Sequence, residues 1–416
     1  MNTLTDFLYA KAAKNKIPFG GAFELSPVCN FRCKMCYVRK TSQQLEASGQ
    51  HLHDWKEWLE LARKAKEEGL FYLLLTGGEP FLYPHFRELY EALHDMGLLL
   101  SINTNGSMLD EETIAWLKKK APTRVNITLY GCSEETYGRI CGNPSAFPKV
   151  VKAIKDLKAA GIPVVMNASM IPENACDLEG IIDFGKSMEI NTRMATYMFP
   201  PVRRDQEESD SRFTPKESAM LYLRKQRHLL GERHYLSFLK KNMAILEEDQ
   251  KKWKEEKQSV DKAKTNEEKQ SVDKAKADKK LPDHKEYMTC RAGRSSFWVS
   301  WDGNFTACGI TSFPKVYQDI FTRDFKKAWL ELTELTRHTP VLKECYQCEN
   351  RTLCKPCAAI LDAETGSVNR KSEYHCQMTE ELIRLIHQDI ASLERIYEEE
   401  DTDQDHYEND VKFLCE

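Results

Sequence analysis

Three cysteines near the N-terminus have a spacing suited to an iron–sulfur cluster. Cys29, Cys33 and Cys36 lie in the segment SPVCNFRCKMCY, a C-x3-C-x2-C arrangement that directly follows a predicted β-strand. Four-iron clusters are usually held by four cysteine thiolates, so a loop with three would leave one iron open to another ligand. A tetrahedral zinc site, which normally has four protein ligands, is the structural alternative for this triplet.

Two further polar groups follow the next predicted strands. The second strand leads into TGGEP, in which Gly77 and Gly78 allow a ligand to approach the backbone and Glu79 can accept a hydrogen bond from a cationic amine. Ser101, Asn103 and Asn105 alternate along the third strand, so they would share one side of it and could bind hydroxyl groups. These residues predict a binding site for a polar small molecule beside the cysteine triplet.

A second set of cysteines lies in the C-terminal region. Its seven members are too numerous for one site, and their paired C-x2-C spacings are also those of a zinc ribbon. The set comprises Cys290, Cys308, Cys345, Cys348, Cys354, Cys357 and Cys376.

Six β-rich segments alternate with amphipathic helical segments between about residues 20 and 200. Such alternation predicts parallel strands with helices packed outside, so the carboxyl ends of the strands meet at one rim. The motifs above follow those strand ends. The sequence therefore predicts an α/β fold whose polar and cysteine-containing loops lie together.

Composition limits the class of protein. The 416 residues carry 60 basic and 64 acidic side chains, a near balance that does not favour a nucleic-acid partner. We find no apolar run long enough for a membrane span and no secretory signal, so a cytoplasmic protein is expected. Fourteen cysteines in a reducing compartment favour metal or cluster binding over disulfides.

Changes in composition divide the chain into five predicted regions. Residues 205–285 are charged and helical and contain the decapeptide EEKQSVDKAK twice, which indicates a solvated insertion. The predicted regions are a lead-in over 1–20, the α/β core over 21–204, the charged bridge over 205–285, a cysteine-rich domain over 286–380, and a C-terminal helix with an acidic tail over 381–416.

The cysteine triplet, the aromatic residue after it, and TGGEP in their order resemble the radical SAM superfamily. The resemblance implies a partial (β/α)6 barrel, and a [4Fe-4S] cluster that reductively cleaves S-adenosylmethionine to a 5′-deoxyadenosyl radical, which abstracts hydrogen from a substrate. It also implies S-adenosylmethionine contacts for the polar residues above and for others along the barrel. The expected contacts are Tyr37, Gly77, Gly78, Glu79, Ser101, Asn103, Asn105, Thr128, Arg139 and Asn167. Many relatives have Ser and Asp where this chain has Thr128 and Tyr130.

The C-terminal cysteines resemble the SPASM domain, a small extension with two auxiliary four-iron clusters. By this resemblance, one cluster would be bound by Cys345, Cys348, Cys354 and Cys376. The other would be bound by Cys290, Cys308 and Cys357, without a fourth cysteine. Three [4Fe-4S] clusters are therefore expected. The chain departs from the family where Cys354 and Cys357 are two residues apart instead of three. Cys132, Cys141, Cys176 and Cys415 are interpreted as non-ligands.

The resemblance favours an oxygen-sensitive oxidoreductase or maturase that oxidises or crosslinks a ribosomally made peptide or protein. Expected partners are that substrate, an electron donor such as flavodoxin or ferredoxin, and a separate peptide-recognition protein. Tetrapyrrole side-chain modification in the haem pathway and small-molecule alcohol oxidation are alternatives, and a zinc-binding adaptor is the non-enzyme alternative. Tyr130, Tyr197 and Phe199 either contact substrate or belong to the core. The sequence indicates no catalytic base.

Overall fold

The structure is a computed structural model that describes residues 3–200, 211–267, 288, 290–310, 319–354 and 357–413. The strands of this described part are β1 (Gly20–Glu24), β2 (Tyr72–Thr76), β3 (Leu99–Thr104), β4 (Arg124–Thr128), β5 (Val164–Ser169), β6 (Asn191–Ala195), β7 (Ser296–Val299) and β8 (Phe305–Thr306).

The helices follow in chain order. They are α1 (Leu4–Lys14), α2 (Ser42–Ala47), α3 (Trp55–Glu67), α4 (Phe86–Asp95), α5 (Glu111–Lys119), α6 (Glu134–Cys141), α7 (Ala146–Ala159), α8 (Leu178–Ser187), α9 (Pro215–Leu230), α10 (Glu232–Glu267), α11 (Phe325–Arg337), α12 (Lys343–Tyr346), α13 (Ala358–Thr365) and α14 (Glu373–Phe413). Short 3₁₀ turns cover Pro80–Leu82, Pro172–Asp177 and Ile320–Thr322.

The chain forms two compact units. The first, called the barrel unit, contains Met1–Phe213, Pro282–Lys343 and Cys357–Lys371. The second, called the helical unit, contains Thr214–Leu281, Glu344–Pro356 and Ser372–Glu416. The region predicted over 286–380 therefore contributes to both units.

The barrel unit contains one sheet with the strand order β6-β5-β4-β3-β2-β1-β7-β8. Strands β1 to β6 are parallel, β7 is parallel to β1, and β8 is antiparallel to β7. This arrangement confirms the predicted α/β fold with parallel strands. The last two strands were not predicted, because their segments are short and lie far along the chain from β1.

The helices of the barrel unit pack apolar faces on the sheet. In α3 the buried residues Trp58, Leu61, Ala62 and Ala65 recur at helical spacing, and the helix begins at an Asp54 cap that forms a capping box with Glu57. Along β3, alternate residues are buried towards the helices, and the others, including Ser101 and Asn103, are only partly buried. Helices therefore cover one face of the sheet, and the partly buried polar residues of the other face are available to form a site.

The helical unit is built from α9, α10 and α14. Their contact includes Leu223, Tyr235, Leu246, Ile386 and Leu393, which are all buried. The Tyr235 hydroxyl donates to Asp389 at 2.5 Å within this core. Helix α14 continues to Phe413, so the segment predicted as an acidic tail has helical backbone, in keeping with the helix propensity of glutamate. The first decapeptide lies in α10, and most of the second lies outside the described residues.

Candidate functional site

The loop after β1 holds Cys29, Cys33 and Cys36. Cys33 is buried and the other two are half-buried. The amides of Arg32 and Lys34 donate to the carbonyls of Cys141 and Ile140, at 2.8 and 3.1 Å, so the loop is fixed to the end of α6.

The thiols of Cys29 and Cys33 are largely shielded from water. Burial is the main cause that raises the pKa of Cys29 to about 12, although the Phe31 amide donates to its sulfur at 3.4 Å. A hydrogen bond with the Cys141 thiol, and then burial, raise the pKa of Cys33. Without a bound cation the thiols of Cys29 and Cys33 therefore stay protonated, and metal binding would displace their protons.

Cys141 lies beside the triplet, which the sequence did not predict. Its side chain is fully buried at the end of α6, and its thiol donates to the Tyr137 carbonyl at 3.0 Å. Since the residue is more than a hundred positions from Cys33 in the sequence, no local pattern connects the two.

A cavity of about 340 Å³ opens next to the triplet at the carboxyl ends of the strands. Six of the predicted S-adenosylmethionine contacts line it, together with all three cysteines. These six are Tyr37, Gly77, Gly78, Asn103, Asn105 and Thr128. Tyr130 and Phe199 also line it, as do three residues that the sequence did not indicate: Ser169, Met198 and Ile310.

Gly77 and Gly78 bring the β2 loop against the cysteine loop. A Cβ atom at Gly77 would lie 2.6 Å from the Ser26 carbonyl oxygen, and one at Gly78 would lie 2.4 Å from that of Val28. The amides of Gly78 and Glu79 donate to these carbonyls, at 2.7 and 2.9 Å respectively. Any larger residue would separate the two loops.

Glu79 is completely buried and does not line the cavity among the described residues. Its carboxylate accepts from the Thr104 hydroxyl at 2.8 and 2.9 Å, from the Asn105 amide at 2.8 Å and from the Phe81 amide at 3.2 Å. Burial outweighs these bonds and raises its pKa to about 7. The side chain connects the ends of β2 and β3.

Asn105 connects β3 to the triplet. Its Nδ2 donates to Asn30 Oδ1 at 2.8 Å and to the Cys29 sulfur at 3.7 Å. Asn103 accepts from Asn126 at 2.7 Å, whose own Oδ1 is buried without a partner among the described residues. Ser101 lies deeper in the barrel and lines a second cavity.

Arg139 and Asn167 do not line the described part of the first cavity. Arg139 is exposed on α6, paired with Glu135 at 2.5 Å and bonded to the Thr136 hydroxyl at 3.2 Å. Asn167 is half-buried on β5, opposite Thr128, and its carbonyl accepts from the Leu129 amide at 2.9 Å.

The C-terminal cysteines divide between the two units. Cys290, Cys308 and Cys357 are in the barrel unit, where Cys357 contributes, after burial, to the raised pKa of Cys290. Cys345, Cys348, Cys354 and Cys376 are in the helical unit. Burial is the main cause that raises the pKa of Cys345 to about 11, and the other three thiols of that set add to it. The two predicted ligand sets are therefore each grouped within one unit.

The described residues lack two further features. No three His, Cys, Asp or Glu side chains are placed to hold a single metal ion in that part of the chain. Of its helices, none is long and apolar enough to cross a membrane.

The sequence of residues 23–185 matches the model of the Radical SAM superfamily. A probable GTP 3′,8-cyclase from Sulfurisphaera tokodaii is 33% identical over 38% of this chain and 50% of its own length. An AdoMet-dependent heme synthase from Methanosarcina barkeri is 23% identical over 85% of this chain and 95% of its own. A PqqA peptide cyclase from Ruegeria pomeroyi is 28% identical over 42% of this chain and 46% of its own length. The chain thus spans about half the length of the cyclases it matches.

Two solved structures share the fold. Streptococcus suis SuiB bound to precursor peptide SuiA has a TM-score of 0.59 at 16% identity, covering 90% of this chain and 80% of SuiB. Native anSMEcpe with bound AdoMet and Cp18Cys peptide has a TM-score of 0.59 at 17% identity, covering 91% and 99%. The expected partial barrel with parallel strands is confirmed.

Proposed function

We propose, because residues 23–185 match the model of the Radical SAM superfamily, that this chain is an enzyme that abstracts hydrogen from a peptide or protein in order to oxidise or crosslink it. The observation that carries the proposal is the cavity at the strand ends, where the three cysteines of one loop meet Gly77, Gly78 and the asparagines of β3.

Cys29, Cys33 and Cys36 would hold the catalytic [4Fe-4S] cluster. The donor set fits such a cluster, because three thiols line one cavity and leave a position for a further ligand. When bound, the cluster and S-adenosylmethionine supply the 5′-deoxyadenosyl radical. The surrounding Phe31, Tyr130 and Met198 make the site apolar and limit the access of water.

Polar residues of the cavity would bind and orient S-adenosylmethionine. Gly77 and Gly78 present backbone, Asn103 and Asn105 present amides, and Thr128 presents a hydroxyl. Glu79 holds Asn105 and Thr104 in place, so we assign it a positioning role in addition to the amine contact that the family resemblance implies. Ser101, Arg139 and Asn167 remain proposed contacts.

The seven cysteines of the C-terminal set would hold two auxiliary clusters that transfer electrons. We assign Cys345, Cys348, Cys354 and Cys376 to one and Cys290, Cys308 and Cys357 to the other. Each set lies within one unit, which supports the assignment. A flavodoxin or ferredoxin would supply the electron that starts the reaction.

Three similarities support a peptide substrate. The structures of SuiB and anSMEcpe contain bound peptides, and the PqqA peptide cyclase is similar in sequence. Tetrapyrrole modification is the second candidate. It is favoured by the heme synthase, whose similarity extends over 85% of this chain.

The first test counts iron. The chain and a Cys29/Cys33/Cys36→Ala triple variant are reconstituted anaerobically, and iron, acid-labile sulfide and zinc are measured. We expect about twelve irons per chain, falling to about eight in the variant, from four irons in each of three clusters. Cys176→Ala, a change at an exposed cysteine outside the ligand sets, should leave twelve.

The second readout is 5′-deoxyadenosine released from S-adenosylmethionine after reduction. The chain and Cys176→Ala should release it, and the triple variant should not. Zinc in place of iron, or equal release by the triple variant, would contradict the proposal. Stimulation by a carboxylated tetrapyrrole, and not by a peptide encoded beside this gene, would favour the second candidate.

A further inference from the structure

A fourth thiol lies against the cysteine triplet. Cys141 is the last residue of α6, its side chain is fully buried, and its thiol is hydrogen-bonded to that of Cys33. The proposed function assigns it no role, and it does not line the described part of the cavity beside the triplet. Two thiols in contact can be oxidised to a disulfide, so this pair is a candidate site of oxidation.

Backbone hydrogen bonds hold the two cysteines side by side. The Arg32 amide donates to the Cys141 carbonyl at 2.8 Å, and the Lys34 amide donates to the Ile140 carbonyl at 3.1 Å. These two bonds flank Cys33, and one of them is made by Cys141 itself. A disulfide spans Cα separations of about 4.4–6.8 Å, so only backbone segments that are neighbours in this way can be bridged without a large movement.

The two thiols differ in their access to the cavity. Cys33 lines the cavity of about 340 Å³ and keeps 7% of its surface exposed, whereas Cys141 is 0% exposed. A small oxidant that enters the cavity therefore reaches Cys33 first, and Cys141 is shielded until Cys33 has reacted. Oxidation-sensitive cysteines are often placed in this way beside a resolving cysteine, which attacks the oxidised sulfur and closes a disulfide.

A resolving cysteine determines whether oxidation can be reversed. Peroxide converts a thiol to a sulfenic acid, and further oxidation to the sulfinic and sulfonic acids destroys the side chain as a metal ligand. A disulfide, in contrast, returns to two thiols on reduction. The cysteines that hold a cluster become free thiols when the cluster is lost, so the iron-free chain is the state in which this protection matters.

We propose that Cys141 is the resolving cysteine of Cys33 in the iron-free chain. Hydrogen peroxide oxidises the Cys33 thiol to a sulfenic acid, and one water is released. The Cys141 thiol then attacks that sulfur, a second water leaves, and the disulfide forms, so two thiols are oxidised while one peroxide is reduced to two waters. Reduction restores Cys33 for iron binding, and this last step rests on the proposed function, in which Cys33 is a cluster ligand.

The other two cysteines of the triplet are the competing partners for Cys33. Cys29 and Cys36 are half-buried and line the same cavity, and the Cys36 amide donates to the Cys33 carbonyl at 3.1 Å. The oxidant reaches these two thiols directly, so they are themselves targets of oxidation. Only Cys141 combines contact with Cys33 and complete burial, and we therefore expect Cys33 to pair with it.

The test treats the iron-free full chain with a limited amount of hydrogen peroxide and identifies the products by peptide mass spectrometry. We expect Cys33–Cys141 to be the main disulfide of Cys33. In Cys141→Ser the hydroxyl can still donate to the Tyr137 carbonyl, as the thiol does at 3.0 Å, but no disulfide can form. This variant should contain at least about fivefold more Cys33 in the sulfinic and sulfonic forms. Cys132→Ser is the matched control, because this partly buried cysteine donates to the Asp177 carbonyl at 3.8 Å instead, and it should give the same products as the parent.

The treated samples are then reduced with dithiothreitol and reloaded with iron anaerobically, and the parent and Cys132→Ser should regain more iron than Cys141→Ser. Pairing of Cys33 mainly with Cys29 or Cys36 would overturn the proposal, and so would equal overoxidation of Cys33 in the parent and in Cys141→Ser. The parent's disulfide map needs no variant, so it tests the proposal even if Cys141→Ser folds poorly. Iron is also measured in untreated, reconstituted samples. Low iron there would contradict the proposed function, whereas the map of oxidised cysteines reports on the pairing of Cys33 and Cys141 alone.

Discussion

The cysteine loop of the barrel unit and the cysteine segment of the helical unit are held in different ways. In the former, the amides of Arg32 and Lys34 bond to α6, more than a hundred residues away, and Val28 accepts from Glu79. In the latter, the amides of Cys348 and Cys354 bond to Cys345 and Asn350, only three and four residues away. Backbone bonds to distant segments therefore hold the first loop, whereas the backbone bonds of the second are local and its links to α10 are made by side chains, from Thr352 to Asp249 and from Gln250 to Asn350.

The difference indicates which site is formed before iron binds. A loop fixed by distant backbone groups and a buried Phe31 has its shape set by the fold. A segment of local turns with an exposed Cys348 depends more on its metal, since the free energy of metal binding then serves as folding free energy. We therefore expect the barrel-unit site to be preorganised and the helical-unit site to be organised by iron.

The largest effect should come from truncating an aromatic residue in each segment. Phe31 is fully buried, with ring centres of Tyr130 and Tyr137 at 6.2 and 6.4 Å. Phe31→Ala should lower the free energy of unfolding by about 3–5 kcal/mol. Tyr346 is only partly buried and contacts the Arg351 guanidinium at 4.8 Å, so Tyr346→Ala should cost less than about 1 kcal/mol.

Both variants are compared with the parent in anaerobic urea titrations followed by circular dichroism. Iron content is measured first, so that a loss of cluster is not mistaken for a loss of packing. Equal costs for the two changes would show that the cysteine segment of the helical unit is as firmly packed as the loop after β1, which contradicts the comparison.

A somewhat smaller effect is expected at Glu79. Its side chain is buried, and its backbone amide bonds to Val28 in the preorganised cysteine loop. Its carboxyl pKa rises from 4.5 to about 7 on folding. The folded state therefore binds this proton more tightly than the unfolded chain, so stability falls as pH rises from 4.5 to 7, by on the order of 3 kcal/mol. Glu79→Gln cannot ionise, and its stability should not show this fall.

The measurement is the free energy of unfolding of the iron-free chain at pH 5 to 8. Glu88→Gln is the control, because this exposed carboxyl has a lowered pKa and does not titrate in that window. A parallel pH dependence in the parent and in Glu79→Gln would mean that the carboxylate is ionised at no cost, and that its hydrogen bonds offset its burial.

The sequence predicts those parts of the site whose residues are close together in the chain. Each motif directly follows its own strand, so the parallel order of strands was sufficient to bring Cys29, Gly77 and Asn103 to one rim. Ser101 has the same alternation as Asn103, but it is one row lower and lines the second cavity. Which row reaches a ligand depends on strand register, which alternation alone does not give.

Other features depend on contacts between distant segments. Cys141 reaches Cys33 only because α6 ends against the cysteine loop, and β7 joins β1 through a segment that appeared to belong to a separate cysteine-rich domain. Glu79 was expected to face a ligand, and its bonds to Thr104 and Asn105 result from the close approach of β2 and β3. Such contacts have no local sequence signal.

The smallest expected effect is a change in the rate of amide hydrogen exchange when iron is removed. It is also the most direct test of the comparison between the two cysteine segments. Amides that bond to distant carbonyls exchange only when the surrounding structure opens, whereas amides in local turns exchange in small, independent openings. Anaerobic chelation should therefore accelerate exchange at Cys348, Arg351 and Cys354 by about tenfold, and at Arg32 and Lys34 by less than about threefold.

Two helices without cysteine ligands are the internal controls, α3 for the barrel unit and α9 for the helical unit. If α9 also exchanges faster, the metal stabilises the whole helical unit and not the cysteine segment alone. If Arg32 and Lys34 accelerate as much as Cys348, the bonds to α6 do not hold the loop without iron, and both sites are organised by their clusters. If only the segment 345–354 responds, the barrel-unit site is preorganised by the fold and the helical-unit site is organised by its metal.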